Sequence, residues 1–174
     1  VKDSETENDF LQIARTIVDT LNMEALSFIQ VAYSGCFHSL SECSEAYKSV
    51  YLALKVGNLF YSEQTVFPYN RLGVGRLLYQ LPISICAGFL REVFGDDIPD
   101  SFDNETDITI TRFLQNNLNI AETSRQLHMH RNTLIYRLDQ VEKKTGLDLR
   151  KFEDAMTFKL ASMVINYLHS ERNS

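Results

Sequence analysis

A run near residue 135 contains side chains that could recognise a nucleic acid, namely Arg131, Asn132, Thr133, Tyr136 and Arg137. Arginine can donate two hydrogen bonds to guanine, asparagine can pair with adenine, and threonine or tyrosine can reach a base edge or a phosphate. If this run is a helix, about 100° per residue places Asn132 and Tyr136 away from Leu134. The spacing therefore predicts a polar helix face suited to the major groove of DNA.

The charge of the chain is distributed unevenly. Residues 1–105 carry seven Lys/Arg against fifteen Asp/Glu, whereas residues 106–174 carry ten against eight. Between residues 119 and 151, four acidic residues stand against seven basic ones: Arg125, Arg131, Arg137, Lys143, Lys144, Arg150 and Lys151. A nucleic-acid-binding surface gives such a cluster, but so does an ordinary solvated helix face. Charge alone leaves both interpretations open.

Three helices are predicted around the polar face. Apolar spacing indicates helices over 109–118, 120–127 and 131–145, the last of which ends at Gly146. Residues 128–130 form a short break between the second helix and the third. A short helix, a three-residue turn and a longer helix form the arrangement of a helix-turn-helix motif.

The second of these helices begins with a capping signature. Asn119 can accept a hydrogen bond from the helix backbone, and the Glu122 carboxylate can reach back to the backbone N–H of Asn119. In the turn that follows, His128 stands where many helix-turn-helix proteins place a glycine in the left-handed conformation. Histidine tolerates that conformation less well than glycine.

These residues resemble the C-terminal helix-turn-helix of the PucR/CdaR group of bacterial transcription regulators. The resemblance covers about residues 105–170 and is carried by residues 119–127, by the run His-Arg-Asn-Thr-Leu-Ile-Tyr-Arg-Leu at 130–138 and by residues 145–149. It implies sequence-specific binding to double-stranded DNA, a homodimer, and control of a catabolic operon of the sugar-diacid or purine type. Residues 27–72 resemble the C-terminal part of the GGDEF-like domain that many of these regulators carry.

The expected site is a DNA-binding one. Base edges are assigned to Arg131, Asn132, Thr133 and Tyr136, and phosphates to Arg125, Arg137, Lys143 and Lys144. His130 and Gln140 flank this surface and complete the expected set. The alternative is a non-catalytic module for protein interaction or signal relay, in which the basic helix meets an acidic partner.

We expect no catalytic residue, cofactor or metal, and therefore no enzyme. The chain has neither a G-x-S-x-G elbow nor the Gly-Gly-Asp/Glu-Glu-Phe sequence of a nucleotide cyclase. His128 and His130 lack a neighbouring cysteine or carboxylate cluster, which favours turn and capping roles over zinc binding. An effector small molecule is expected to bind a domain outside this chain, upstream of Val1.

The expected fold class is α+β and predominantly α. We predict an α/β module over 1–74, a helical linker over 75–104 and a helix-turn-helix domain over 105–174, with an acidic boundary at 96–104. Strands are predicted at 26–33 and 66–69, and further helices at 10–21, 41–57 with Gly57 as the stop, 75–81, 83–94 and 152–168. The last helix is expected to cover the recognition unit and to pair with another subunit.

The compartment expected from composition is the cytoplasm. The three cysteines are odd in number and contain no C-x-x-C pair, which disfavours a disulfide framework. No run approaches the roughly 20 apolar residues of a membrane helix, so no membrane association is expected.

Overall fold

The computed structural model describes residues 2–25, 28–36, 39–96 and 103–172. These residues form eight α-helices and two short strands, so the chain is α+β and predominantly helical, as predicted. It divides into two compact units, one made of residues 1–81 with 169–174 and the other of residues 82–168. Among the residues so described, no single helix is long and apolar enough to cross a membrane; the helices Gly73–Tyr79 and Ile83–Phe94 meet that length and hydropathy only when taken together, and they are bent by 113° at the break between them.

The first unit is a small α/β arrangement. Its elements are α1 (Lys2–Ala25), β1 (Val31–Tyr33), α2 (Cys43–Phe60), β2 (Val66–Pro68) and α3 (Gly73–Tyr79). The two strands are parallel, with Val31 opposite Val66. Parallel strands require a crossover, and α2 supplies it. The side chains of Ala53, Val56, Phe67 and Leu72 form the core between α2 and the sheet.

Gly57 does not stop α2, contrary to the sequence prediction. The helix continues to Phe60, and Gly57 is buried within it. A Cβ atom at this position would lie 2.3 Å from Cγ of Phe67. The glycine is therefore explained by the close approach of an aromatic ring from β2, a long-range contact that a helix-stop pattern does not reveal.

The predicted strand at 26–33 is also shorter than expected. Residues 31–33 pair with β2, whereas Phe28 lies outside the strand and is 72% exposed. Residues 26 and 27 of that prediction lie outside the described residues. The prediction from apolar composition was too long, because only three residues of the run pair with another strand in this part of the chain.

The second unit is helical. It contains α4 (Ile83–Phe94), α5 (Asn104–Gln115), α6 (Ile120–Gln126), α7 (Arg131–Thr145) and α8 (Phe152–Arg172) up to residue 168. One apolar cluster joins α5, α7, α8 and the segment between α7 and α8: Ile110, Phe113, Leu134, Leu138, Val141, Leu149 and Phe158. Burial of these side chains fixes which face of α7 points outward.

Helix α5 begins five residues before the predicted start at 109. Asp103 caps it by accepting a hydrogen bond from the backbone N–H of Thr106 at 3.0 Å. That bond and the hydroxyl of Thr106 hold the pKa of the Asp103 carboxyl below its usual range, the hydroxyl having the larger effect. The helix ends at Gln115, because Asn117 and Leu118 adopt left-handed backbone conformations. The acidic boundary predicted at 96–104 lies mostly outside the described residues.

Candidate nucleic-acid interface

The segment between α6 and α7 spans four residues, 127–130, one more than predicted, because α6 ends at Gln126. His128 has a φ of 50°, in the left-handed region where glycine is common. The backbone N–H of Met129 donates to the carbonyl of Ser124 at 3.0 Å, which closes the turn. Ser124 is buried within α6 beside this turn. The predicted helix-turn-helix arrangement is confirmed within the second unit.

The cap of α6 is confirmed, but the reciprocal half of the predicted capping box is wrong. Asn119 Oδ1 accepts from the backbone N–H of Glu122 at 3.0 Å. The Glu122 carboxylate does not reach back, since it accepts from Arg125 at 2.6 Å and from Gln126 at 2.7 Å. The N–H of Asn119 donates instead to the carbonyl of Asn116. The hydrogen bonds from Arg125 and Gln126 hold the pKa of Glu122 below its usual range, Arg125 having the larger effect.

Replacement of Asn119 by alanine is expected to lower the free energy of unfolding by about 1 kcal/mol, because one N–H in the first turn of α6 loses its acceptor. The measurement is urea denaturation followed by circular dichroism. Asn119→Asp is the matched control, since aspartate caps as well as asparagine and should leave the stability nearly unchanged. Equal losses in both variants would contradict the capping role.

His130 caps α7. Its Nδ1 accepts a hydrogen bond from the backbone N–H of Asn132 at 3.2 Å, in line with the capping role predicted from the sequence. No group of three or more His, Cys, Asp or Glu within the described ranges is arranged to hold a metal ion. His130 therefore acts as the cap for the first turn of α7.

The inner face of α7 is as predicted. Leu134 and Val141 are fully buried, Leu138 is 1% exposed, and Thr145 is also buried. The helix ends at Gly146, which has a φ of 76°. Because these residues hold one side of α7 against α5 and α8, the opposite side is fixed toward solvent.

The outer face of α7 presents polar side chains from its first turn. Arg131, Asn132 and Thr133 are exposed, and Tyr136 is 63% exposed. None of these four side chains has a hydrogen bond or ion pair to another residue that the structure describes. The first turn contains no acidic residue, so the positive end of the helix dipole is not neutralised from within α7. This surface can therefore bind an anion or form hydrogen bonds with another molecule.

The remaining predicted site residues differ in their surroundings. Gln140 and Lys143 are exposed on the outer face of α7, and Lys144 follows in its last turn. Arg125 is exposed on α6 but forms an ion pair with Glu122. Three of these four residues therefore lie on α7 and the fourth on α6, all within the second unit.

Arg137 differs from the exposed residues of α7 because its side chain is partly buried. Its side chain is only 21% exposed and forms an ion pair with Glu105 of α5. It also donates to the Glu105 carbonyl at 3.2 Å and to the Thr109 hydroxyl at 2.8 Å. Glu105 and Thr109 were not predicted as partners of Arg137, because pairings over 32 and 28 residues leave no periodic signal in the sequence.

Arg150 is a second arginine whose partners were not anticipated. It donates to Asp139 at 2.8 Å, to Glu142 at 2.6 Å and to Asp148 at 2.6 Å. These bonds join the segment after α7 to two successive turns of α7. Part of the positive charge between residues 119 and 151 therefore serves the structure of the second unit.

Comparison with known proteins identifies the segment around this surface. Residues 108–164 match the model of the PucR C-terminal helix-turn-helix domain. The match includes all of α6, the turn and α7, together with most of α5 and the first part of α8.

Several curated proteins are similar to the chain. The purine catabolism regulatory protein of Bacillus subtilis is 28% identical over 87% of this chain, which spans 28% of that protein. The DNA-binding transcriptional activator AdeR of the same organism is 26% identical over 76% of the chain and 32% of its own length. The carbohydrate diacid regulator of Escherichia coli is 40% identical over 30% of the chain and 14% of its own length. Residues 108–164 of the chain therefore form a helix-turn-helix domain of the PucR C-terminal type.

Proposed function

We propose that this chain binds double-stranded DNA in a sequence-specific manner through α7 and thereby regulates transcription. The observation that carries the proposal is the first turn of α7, where Arg131, Asn132 and Thr133 are exposed and make no side-chain hydrogen bond within the described residues. A recognition helix inserts this part into the major groove. Because the opposite face of α7 is buried, these side chains enter the groove from a rigid support.

The proposed DNA contacts fall into two classes, those to base edges and those to phosphates. Arg131, Asn132, Thr133 and Tyr136 read base edges, because their side chains present the donors and acceptors that distinguish base pairs. The phosphates are contacted by the cationic groups Arg125, Lys143 and Lys144, which set the register without reading the sequence. His130 and Gln140 lie at the margins of the surface.

The test is selection followed by competition. A random duplex library is selected on the chain, and a labelled preferred duplex is then competed with unlabelled preferred duplex, with random duplex and with an acidic peptide at one fixed salt concentration. Specific regulators bind their sites about 10³- to 10⁷-fold more tightly than other DNA. Equal competition by the preferred and random duplexes would refute sequence-specific binding, and superior competition by the acidic peptide would favour the protein-interaction alternative.

A homodimer follows from the small size of one recognition helix, which contacts only a few base pairs. We propose that two chains bind half-sites whose centres lie about 10 bp apart or a multiple of that distance. Analytical ultracentrifugation with and without the selected duplex measures the stoichiometry. Monomers alone under both conditions would contradict this part of the proposal.

The regulated operon is proposed to be a catabolic one. The support is the similarity to regulators whose names refer to purine catabolism and carbohydrate diacids. The effector is proposed to bind a part of the regulator that this chain does not contain. A role on bacterial DNA places the protein in the cytoplasm and requires neither an enzymatic reaction nor a cofactor.

A further inference from the structure

The arginine in the middle of α7 has three hydrogen-bond acceptors inside the second unit. Arg137 donates to the Glu105 carboxylate, to the Glu105 carbonyl and to the Thr109 hydroxyl. Thr109 is fully buried and donates its own hydroxyl proton to the same Glu105 carbonyl at 2.7 Å. The three residues therefore form one network that joins the first two turns of α5 to the second turn of α7.

This network conflicts with a phosphate contact by Arg137. Hydrogen bonds between a guanidinium and a carboxylate are short and strong because both partners are charged. A phosphate could bind the same donors only after these bonds break, and the buried Thr109 hydroxyl would then lose a partner. By contrast, Arg131 lies six residues earlier on α7 with its side chain exposed and unpaired among the described residues.

We propose that Arg137 is a positioning residue, which fixes the orientation of α7 on α5 through Glu105 and Thr109 and does not contact the DNA backbone. The proposal rests on the function proposed above and refines it. Leu134 and Leu138 hold α7 against the core, but apolar contacts tolerate small rotations and shifts. The directional bonds of Arg137 restrict such movements, so that the first turn of α7 meets the base edges in one arrangement.

The two roles predict opposite results for Glu105→Gln. If Arg137 contacts a phosphate, loss of the competing carboxylate frees the guanidinium, and DNA binding becomes tighter. If Arg137 positions α7, the weakened network loosens the recognition helix, and affinity for the preferred duplex falls by about fivefold. Glu153→Gln is the matched control, because it removes one exposed carboxylate of the same unit that has no basic partner among the described residues. The affinity of Glu153→Gln for the preferred duplex should equal that of the unaltered chain or rise slightly.

Arg137→Lys gives a second, independent readout. Lysine keeps the charge and can still contact a phosphate, but it cannot donate to all three acceptors in the arginine geometry. The positioning role therefore predicts about a tenfold loss of affinity for the preferred duplex, with little change for random duplex. A phosphate contact predicts nearly unchanged affinity for both duplexes.

Salt dependence separates the two roles in Arg137→Met, which removes the charge. Loss of a phosphate contact lowers the slope of log affinity against log salt by about 0.9, whereas loss of a positioning residue leaves the slope unchanged. Thermal unfolding of each variant identifies the temperature range in which the unit is folded, and binding is measured within it. The glutamine and lysine variants are the less disruptive ones and keep the proposal testable if Arg137→Met unfolds.

The outcomes are distinct from a failure of the proposed function. If the unaltered chain selects no preferred duplex, the proposed function is wrong and the role of Arg137 in it falls as well. If the chain selects a duplex, tighter binding by Glu105→Gln, unchanged binding by Arg137→Lys or a smaller salt slope in Arg137→Met overturns the positioning role. Weaker binding by both conservative variants at an unchanged salt slope supports it.

Discussion

Replacement of Arg131 by alanine is expected to weaken binding to the preferred duplex by about 1–3 kcal/mol, or about 5- to 150-fold in affinity. Arg131 is exposed in the first turn of α7 and makes no side-chain hydrogen bond to the residues described, so its guanidinium is available to a base. A bidentate contact to guanine accounts for a loss of this size. The same change should relax the preference at one base pair.

The measurement is fluorescence anisotropy with the selected duplex at one salt concentration, followed by a repeated selection on the variant. Arg131→Lys separates base reading from charge, because lysine can contact a phosphate but lacks the planar bidentate geometry. Arg91→Ala removes a positive charge from α4, outside the matched domain, and should have little effect on sequence preference. If Arg131→Ala keeps both affinity and preference, Arg131 does not read bases.

The helices of the interface were predictable because their signals are local. The apolar spacing of Leu134, Leu138 and Val141 gave the buried face of α7, and all three are buried. Asn119 and Gly146 marked two helix ends through chemistry that acts within one turn. The sequence also indicated His128 as the position where helix-turn-helix proteins often have a left-handed residue, and its φ is 50°.

The partners of the arginines could not be predicted, because they depend on tertiary structure. Arg137 and Arg150 counted toward a basic surface in the sequence, yet both are engaged by carboxylates elsewhere in the second unit. Charge counting weighs every arginine equally, whereas burial and geometry decide which of them can reach a phosphate. The error over Gly57 has the same origin, since Phe67 contacts it from a different element.

The reciprocal half of the capping box failed because of competition among local partners. Glu122 stands at the position the motif requires, but Arg125 and Gln126 lie one turn further along α6 and donate to its carboxylate. The turn before α6 supplies the carbonyl of Asn116 for the N–H of Asn119. A capping pattern therefore locates the helix start reliably without identifying every hydrogen bond there.

Replacement of Phe113 by alanine is expected to have the largest effect on stability. Phe113 of α5 is fully buried in the cluster that contains Leu134, Leu138 and Phe158. Truncation of a buried phenylalanine costs about 3–5 kcal/mol, because apolar contacts are lost and a cavity remains. That is a large share of the roughly 5–15 kcal/mol that keeps an ordinary domain folded. The free energy of unfolding from urea titration is the measurement.

The same variant separates residues that keep α7 folded in place from residues that contact DNA directly. In Phe113→Ala, DNA binding should fall in proportion to the unfolded fraction and recover on addition of a stabilising osmolyte, because the osmolyte favours burial of protein surface. In Arg131→Ala, DNA binding should stay low when the osmolyte is added, because the lost contact is one to DNA. Phe152→Ala is the matched control, since Phe152 is 68% exposed at the start of α8 and its removal should cost less than about 0.5 kcal/mol. A loss in Phe113→Ala no larger than this would mean that the apolar cluster does not hold α7 in place.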